Sequence, residues 1–598
     1  MHVVGSRGIA NRGALIEAAL VLCVLGAFVA YVAPTLDQPL LERHGFRQTQ
    51  TAYTARIFYE QGVDLLHPKV PVFGEPFELP FEFPLFQAAA AAVMEAGVGD
   101  DLAMRWTALA CFVLTALLVY GLVRHVAGSV GAVAALVAFV LTPFSFIWAR
   151  ASLIEYLATA GAVGFAWATI LWRERGRPLP GALALVAGLV GLLVKPTTAV
   201  FWIVPALAYA PEKRTGTSGR RTRAWTAVLV AVPLAAAVVW TRHADAIKTA
   251  NETTSWLASA ELRDWTFGTI AQRLDPHTWA VIAGRLVPTV LGLCGIVLIA
   301  NAVVATVRAH QRRFWLGIWF AAVAPVLVFT NLHFQHDYYL AAVTPAIACL
   351  AGLGAGFLWS RLPAQPAVRA VAVGIALILV LGTIELSRGY WSRIDKAKND
   401  PVLLLAREIE GLTHPDELVA VAAADWDPAL LYYAHRWGHT ATARDEALAF
   451  ERIRNEDYRY LLVVDPLELD TTALDPWPWL GSLGPHSYAL ADSPGELRGA
   501  RFVATDVLPV NGTPLGKARV RCDEIVRIPA GARGTWILSA TPSPAALALP
   551  ESGLAPLPLR GAVFVASSLA DAGELAVTCS GASSVVVDLV DAPGPSPR

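Results

Sequence analysis

The residues best suited to chemistry lie in one polar stretch, residues 37–87, of a chain whose first two-thirds is otherwise strongly apolar. The side chains of this stretch that can bind anions or move protons are Asp37, Glu42, Arg43, His44, Arg47, Gln48, Gln50, Glu75, Glu78 and Glu82. The apolar segments around the stretch have the composition of lipid-exposed helices, so any reaction would take place at one face of a membrane.

Two carboxylates of this stretch are candidate general bases. Glu82 is flanked by Phe81 and Phe83, and burial among such side chains raises a carboxyl pKa and suits the group to accept a proton. Alternatively, Glu82 is an interfacial glutamate whose carboxylate reaches water. Asp37 follows the first apolar segment almost directly, at the boundary between membrane and water, and is the second candidate.

A helix is predicted between these carboxylates. The apolar side chains of residues 49–61 share one face, so the helix would lie flat on the bilayer. Its start, with Arg47, Gln48 and Gln50, suits a phosphate, because helix N-termini and arginine both favour anions. We interpret the other charged side chains of the stretch as solvated loop residues: Glu42, Arg43, Glu75 and Glu78.

Further candidates lie outside this stretch. Glu155 lies near the outer end of one predicted membrane span and Lys195 lies between two others. Ionisable groups at membrane depth are costly and often functional, although a position only one turn deep would need no function. The last outer loop contains four consecutive candidates: His336, Asp337, Tyr338 and Tyr339. The first two could bind a phosphate or orient a substrate, whereas the tyrosines could be interfacial aromatic residues.

The overall composition is that of a polytopic membrane protein. Of 598 residues, 55% are hydrophobic and only 16% are charged, and the mean hydropathy is +0.50. A net charge of −1 gives no electrostatic reason to expect nucleic-acid binding. The chain has no P-loop and neither an HExxH nor a GxSxG motif, so neither ATP hydrolysis nor metalloprotease chemistry is indicated.

The apolar segments predict about 11 transmembrane helices. They cover residues 14–34, 104–123, 129–148, 153–172, 179–194, 198–211, 225–241, 283–307, 314–330, 340–359 and 370–386. Clusters of Arg and Lys lie at the N-terminus and after every second span, which makes that side cytoplasmic. The first outer loop, 35–103, then lies outside, as do the loop 331–339 and everything after residue 386.

Three domains are predicted. Residues 1–386 form the all-α polytopic membrane domain, with a short interfacial or re-entrant helix at 84–97 in the first outer loop. Residues 387–480 form a small extracytoplasmic α/β domain, and residues 481–598 form a β-rich appendage with a disordered tail. Cys522 and Cys579 could form a disulfide on the outer side or be two unrelated thiols.

Three local segments resemble motifs of a known group of enzymes, the GT-C superfamily of bacterial membrane glycosyltransferases. Residues 44–52, HGFRQTQTA, resemble the WRQxxTA segment of one subgroup; residues 82–85 resemble its EFPLY; and residues 336–339 resemble its H-x-YY. The resemblance is to the branch of protein O-mannosyltransferases and aminoarabinose transferases (family 39-like), and it covers about residues 14–440.

The resemblance implies a mechanism. A polyprenyl-phosphate-linked sugar donates its sugar at the outer face, a carboxylate deprotonates the acceptor, and the configuration inverts as polyprenyl phosphate leaves. The cations that we expect at the leaving phosphate are Arg47, Lys195 and His336. Many relatives carry an Asp-Glu pair in the first outer loop, but Arg47 and Gln48 occupy that place here, and Gln50 stands where other members of the subgroup have Asp. The base would then have moved to Glu82 or Asp37, or the protein would not be a transferase of this kind.

The resemblance also implies the partners: the lipid-linked donor, membrane lipids and a lipid, glycan or protein acceptor, in the cytoplasmic membrane. No cofactor is predicted, and a divalent metal stays open because some relatives use one. A non-enzymatic flippase of lipid-linked substrates, a structural envelope protein and an enzyme that transfers a whole oligosaccharide are the alternatives. The ionisable residues lie at the outer ends of spans rather than at the midplane, which favours chemistry over transport.

Overall fold

The computed structural model describes residues 3–211, 216–394, 397–398, 400–422, 425–442 and 448, and beyond these the strands given below. It divides into two units. The first comprises Met1–Lys69 and Leu79–Lys398, and the second comprises Val70–Glu78 and Asn399–Arg598.

The first unit is helical. Its helices are α1 Val3–Val32, α2 Gly45–Gln61, α3 Leu85–Glu95, α4 Asp100–Val140, α5 Pro143–Trp148, α6 Glu155–Arg175, α7 Pro178–Val194, α8 Pro196–Ala199, α9 Ile203–Ala208, α10 Gly216–Ala250, α11 Arg263–Phe267, α12 Ile270–Leu274, α13 Pro276–Leu286, α14 Gly292–Arg308, α15 Arg312–Val328, α16 Thr330–Gln335, α17 Thr344–Arg361 and α18 Pro366–Ile394. A 3₁₀ segment, Asp337–Ala342, joins α16 to α17.

Several of these helices are long and apolar enough to cross a membrane. Within the described residues there are five by length and composition: Gly13–Thr35, Asp100–Val140, Gly219–Ala250, Pro276–Arg308 and Pro366–Glu385. The protein is therefore a multi-pass membrane protein. Helical structure lies over each predicted span; α4 covers the second and much of the third, with non-helical backbone at Gly128 between them. The count of eleven spans stays a prediction.

Helices α2 and α3 lie in the first predicted outer loop and pack against each other. Every residue of α2 from Gln48 to Phe58 is buried. The expectation that this helix lies flat on the bilayer with one apolar face is therefore wrong, because protein surrounds its polar side chains as well as its apolar ones. Arg56, for example, is buried and binds Asp100 of α4 at 2.5 Å.

Helices α6 and α7 approach each other closely at glycines. A Cβ atom on Gly161 would come within 2.7 Å of the Cα of Gly191 and 2.8 Å of the carbonyl oxygen of Ala187. Only small residues permit two helix backbones to approach so closely. This packing brings the N-terminus of α6, at Glu155, beside the C-terminus of α7, at Lys195.

The second unit contains one mixed sheet and two antiparallel sheets. Its elements are α19 Pro401–Leu412, β1 Leu418–Ala422, α20 Ala429–Tyr433, β2 Gly438–Ala441, β3 Tyr458–Val463, β4 Trp479–Ser482, β5 Tyr488–Ala491, β6 Thr513–Arg521, β7 Glu524–Arg527, β8 Thr535–Thr541, β9 Ala545–Ala548, β10 Leu557–Leu559, β11 Ala562–Val565, β12 Glu574–Cys579 and β13 Ser584–Ala592. The mixed sheet has the order β2-β1-β3-β5-β4, in which β1 is parallel to both of its neighbours.

The two antiparallel sheets have the orders β10-β9-β12-β7 and β11-β8-β13-β6. Residues 70–78 of the first predicted outer loop belong to this unit, where Thr440 of β2 donates its backbone N–H to Val72. Cys522 and the tail after Ala592 lie outside the described residues, so the possible disulfide with Cys579 stays open.

Candidate functional site

An ion pair joins α2 to the loop that precedes α3. Arg47 Nη2 lies 2.5 Å from Glu82 Oε1, and Arg47 Nη1 donates to the side-chain oxygen of Gln50, one turn further along α2. The guanidinium group also lies 5.8 Å from the centre of the Phe81 ring. Arginine is suited to this position because its planar fork can bind two acceptors at once.

The charge state of Glu82 differs from the sequence expectation. Burial raises the pKa of Glu82, but the charges of Arg47 and Lys195 outweigh burial and hold this pKa below its ordinary value. The expected raised pKa is therefore wrong for the protein without substrate. Glu82 is an ionised carboxylate whose proton affinity its cationic neighbours suppress.

A second ion pair is formed by Lys195 and Glu155. Both side chains are buried, 4% exposed each, and Lys195 Nζ donates to Glu155 Oε1. The ammonium group lies 4.2 Å from the centre of the Tyr339 ring and 5.5 Å from that of Tyr338. Among the described residues, no hydrogen-bond partner reaches the other carboxylate oxygen of Glu155.

The aromatic residues of the last outer loop form a stack over these charges. The Tyr338 and Tyr339 rings lie 4.7 Å apart and nearly parallel, and His336 stacks on Tyr338 at 5.3 Å. Burial lowers the pKa of His336 to about 4, with help from the charges of His44, Arg47 and Lys195. His336 is thus neutral at pH 7 in the protein without substrate, where the expected positive charge is absent.

Asp337 connects the same loop to the start of α2. It lies 2.6 Å from Arg43 Nη2 and 3.0 Å from His44 Nε2. Burial raises the pKa of Asp337, but the hydrogen bond from His44 and the charge of Arg43 outweigh it, so this pKa lies below its ordinary value. His44 has φ 55°, a left-handed conformation that is uncommon for residues other than glycine, and the bond to Asp337 holds its ring in place.

Gln48 holds α2 to the segment before α6. Its side-chain oxygen accepts from the backbone N–H of Ser152, its backbone oxygen accepts from the Ser152 hydroxyl, and its amide donates to the carbonyl of Arg43. Gln48 is fully buried, so its hydrogen bonds position the neighbouring Arg47.

A group of charges that the sequence reasoning missed lies at the base of the loop. Glu42 binds Arg105 at 2.6 Å and also pairs with Arg150, and both arginines are almost completely buried. The interpretation of Glu42 as a solvated loop residue is therefore wrong, whereas Arg43 is exposed as predicted, with 38% of its side chain accessible while it pairs with Asp337. The signal was Arg105 inside a predicted span, since a buried arginine requires an anionic partner.

Asp37 lies apart from these pairs. Its side chain is 68% exposed, and its partners are Gln38 at 3.3 Å and Lys398 at 3.5 Å.

The remaining predicted residues come together in one region. Arg47 and Lys195 both act electrostatically on Glu82 and on His336, and Arg47 also acts on Tyr338. No group of three or more His, Cys, Asp or Glu side chains suited to a metal ion occurs in the part of the chain that the structure describes. The arrangement contains two cations, Arg47 and Lys195, that can attract an anionic ligand, and two carboxylates, Glu82 and Glu155, that can accept a proton.

The chain is similar in sequence to one enzyme family. Residues 79–240 match the model described as dolichyl-phosphate-mannose-protein mannosyltransferase. That range is about a quarter of the chain, and it contains Glu82, Glu155 and Lys195 but not Arg47. No curated protein matches the chain.

The chain is also similar to solved structures. ArnT from Cupriavidus metallidurans bound to undecaprenyl phosphate is 15% identical, with a TM-score of 0.54, over 81% of this chain and 98% of that chain. The apo structure of ArnT from the same organism is 15% identical, with a TM-score of 0.50, over 81% of this chain and 99% of that chain. At this identity the likeness concerns the fold. Together with the family match, it confirms the resemblance to the GT-C membrane glycosyltransferases.

Proposed function

We propose that this protein is an inverting glycosyltransferase that moves a sugar from a polyprenyl-phosphate-linked donor to a lipid, glycan or protein of the cell envelope. The observation that carries the proposal is the meeting of two cations, Arg47 and Lys195, with two carboxylates and a tyrosine stack. A glycosyl phosphate donor requires both kinds of group, because the leaving phosphate needs positive charge and the acceptor needs a base.

The phosphate of the donor binds Arg47, and the charge of Lys195 attracts it electrostatically. Arg47 offers a planar fork that matches phosphate oxygens, and Lys195 offers a compact charge. The hydroxyl groups of Tyr338 and Tyr339 can add hydrogen bonds, since their rings lie close to Lys195. Support comes from the ArnT structure with bound undecaprenyl phosphate, whose fold this chain resembles.

Glu82 takes the proton of the acceptor. The acceptor O–H or N–H bond breaks, its proton passes to Glu82, and the new bond forms to the anomeric carbon of the sugar. The bond from that carbon to the phosphate oxygen breaks in line, so the configuration inverts. The phosphodiester donor with one negative charge becomes a phosphomonoester with two, and the protonation of Glu82 balances the charge.

Glu82 is a better base than Asp37. Glu82 is largely buried and lies against Arg47, where a phosphate would bind. Asp37 is mostly exposed and pairs with Lys398. A carboxylate in contact with bulk water gains little proton affinity from its surroundings. The side-chain amide of Gln50 cannot act as a general base, but its oxygen accepts a hydrogen bond from Arg47 and holds it in place.

The reaction is assigned to the outer face of the cytoplasmic membrane. Arg and Lys clusters follow alternate predicted spans, which leaves the loop containing Arg47 and Glu82 outside, together with the loop containing His336. A lipid-linked donor suits this side, because the reaction needs no nucleotide there.

One experiment distinguishes sugar transfer, which releases polyprenyl phosphate, from flipping of the intact lipid-linked sugar across the bilayer. The purified protein is reconstituted into vesicles with fluorescent polyprenyl-phosphate sugars of several hexose and pentose types, together with envelope lipid acceptors. Release of polyprenyl phosphate with sugar transfer supports the proposal, and the variants R47A and K195M should reduce that release at least about tenfold. Movement of the label across the bilayer without release would make the protein a flippase instead.

A further inference from the structure

The two cations expected near the donor phosphate both have carboxylate partners in this structure. Arg47 binds Glu82 and the side-chain oxygen of Gln50. Lys195 binds Glu155. A phosphate that uses either cation must therefore compete with an anion that already belongs to the protein.

The two pairs differ in their accessibility. The side chains of Arg47 and Glu82 are 18% and 23% exposed, whereas those of Lys195 and Glu155 are 4% exposed each. An incoming ligand can reach the first pair but must open the protein to separate the second. Exchange of one anion for another is therefore expected at Arg47, while the Lys195–Glu155 pair stays closed and contributes its field.

On the basis of the function proposed above, we propose that the donor phosphate replaces Glu82 on Arg47, so that donor binding itself releases the carboxylate that deprotonates the acceptor. Arg47 alternates between two anions. In the free protein it binds Glu82, and in the donor complex it binds phosphate. Glu82 belongs to a loop, which allows its carboxylate to move away while α2 keeps Arg47 in place.

The groups around Glu82 determine how this exchange changes its proton affinity. Arg47 faces Glu82 from α2. Lys195 faces it from the turn between α7 and α8 and is paired there with Glu155. The last outer loop contributes His336, Tyr338 and Tyr339. Lys248 of α10, with its partner Asp245, lies 5.9 Å from the ring of the adjacent Phe81.

Exchange removes from Glu82 the positive charge of Arg47, which lowers its pKa most, and brings a negative phosphate close to it. Burial alone raises a carboxyl pKa, and a neighbouring anion raises it further. Glu82 then changes from a suppressed carboxylate into a proton acceptor. The free protein keeps its base inactive, and an acceptor that arrives before the donor is not deprotonated.

The exchange also places charge where the reaction creates it. As the bond to the sugar breaks, the phosphate gains a negative charge, and Glu82 loses its charge by taking the proton. In the donor complex Arg47 lies against the phosphate, whose negative charge increases, and no longer against Glu82, whose charge is lost on protonation. A cation at a developing charge stabilises the transition state more than the ground state.

Binding of undecaprenyl phosphate tests the exchange without any sugar or acceptor. The matched variants are E82Q and Q50E, two isosteric changes at the two side chains that accept hydrogen bonds from Arg47. E82Q removes the competing carboxylate, so it should bind undecaprenyl phosphate about tenfold more tightly than the wild type while losing turnover. Q50E adds a competing carboxylate and should bind it about tenfold more weakly.

Proton uptake gives a second measurement on the unaltered protein. Calorimetric titration of the wild type with undecaprenyl phosphate, in buffers of different ionisation enthalpy near pH 6, should show proton uptake that E82Q lacks. Equal or weaker binding by E82Q, or equal uptake by both proteins, would overturn the exchange. If R47A and K195M bind undecaprenyl phosphate as tightly as the wild type, the proposed function fails instead, because no phosphate site exists there.

Discussion

Arg47 and Glu82 are 35 positions apart in the chain, yet Arg47 Nη2 lies 2.5 Å from Glu82 Oε1. The pair connects a buried helix to the loop that precedes α3. The side chain best suited to a phosphate is thereby bound to the side chain best suited to the acceptor's proton. A change at either residue must affect both substrates of the proposed reaction.

The pH dependence of turnover should differ between the free and the donor-bound enzyme. Burial raises the pKa of Glu82, but Arg47 and Lys195 hold it below its ordinary value of about 4.3 while the donor is absent. The profile of kcat/KM for the donor, which reports the free enzyme, should therefore keep its activity down to about pH 4. The profile of kcat should fall at a higher pH, because phosphate has replaced Glu82 on Arg47. Steady-state release of polyprenyl phosphate from about pH 4 to pH 8 measures both, and coincident acid limbs would contradict the exchange.

Removal of the Glu42 charge should destabilise the protein without touching the proposed reaction centre. Glu42 binds two almost completely buried arginines, Arg105 and Arg150. In E42Q this carboxylate charge is absent, and breaking a buried pair costs about 3–5 kcal/mol. Thermal unfolding in detergent measures the loss, with E75Q as the control because Glu75 is exposed. Equal melting temperatures for E42Q and the wild type would show that the two guanidinium groups do not depend on Glu42.

The helices could be predicted from the sequence because each apolar segment carries its own signal. Helical structure lies over every predicted span, and the strands β1 and β3 lie within residues 387–480, for which the sequence predicts an α/β domain. The burial of α2 could not be predicted in the same way. Its polar residues predict an exposed helix face. Only the surrounding elements show that Gln48 and Arg56 have partners inside the protein.

The contribution of Asp337 to stability should depend on pH. Burial raises the pKa of Asp337, but His44 and Arg43 hold it below its ordinary value of about 3.9. A depressed carboxyl pKa stabilises the folded protein fully above the unfolded pKa, and this stabilisation disappears as the pH falls through the folded pKa. D337N should therefore be less stable than the wild type by about 2 kcal/mol near pH 7, and the difference should shrink as the pH falls below about 4. Melting temperatures of both proteins across this range test the sign, and a difference independent of pH would exclude the charge as its cause.

The close approach of α6 and α7 should tolerate no added side chain at Gly161. A Cβ there would press on the backbone of Gly191 and Ala187, so G161A must push the helices apart at a cost of about 1–3 kcal/mol. Gly164 lies about one turn further along the same helix, where a Cβ would meet Ala187 and Leu118 at ordinary contact distances of 3.4 and 3.6 Å. G161A should lower the melting temperature, and G164A should leave it unchanged or raise it, because alanine favours a helix more than glycine does. Equal effects of the two substitutions would show that helix propensity, not backbone contact, determines the result.

The types of the candidate residues could be predicted from the sequence, but their pairing could not. Composition and motifs identified Glu82, Glu155 and Lys195, yet no local pattern shows which cation binds which carboxylate. The pairing decides the chemistry, because it lowers the proton affinity of Glu82 where burial alone would raise it. His336 shows the opposite case, in which burial among cations keeps an expected cation neutral.

A double-mutant cycle at Lys195 and Glu155 should separate stability from phosphate binding. Both side chains are buried, so K195M leaves a carboxylate without its cation and E155Q leaves an ammonium group without its anion. Each single variant should lose about 3–5 kcal/mol, and the double variant should lose less than the sum, with a coupling energy of about 1–3 kcal/mol.

Binding of undecaprenyl phosphate should follow a different pattern in the same variants. K195M and the double variant should both bind it at least about tenfold more weakly, because each lacks the ammonium group, whereas E155Q should bind it at least as tightly as the wild type, because the ammonium group stays and its carboxylate partner is gone. Chemical unfolding in detergent and lipid-binding titration on the four proteins provide the two readouts. If the double variant regained binding together with stability, Lys195 would act only by holding α6 against α7, and the phosphate would depend on Arg47 alone.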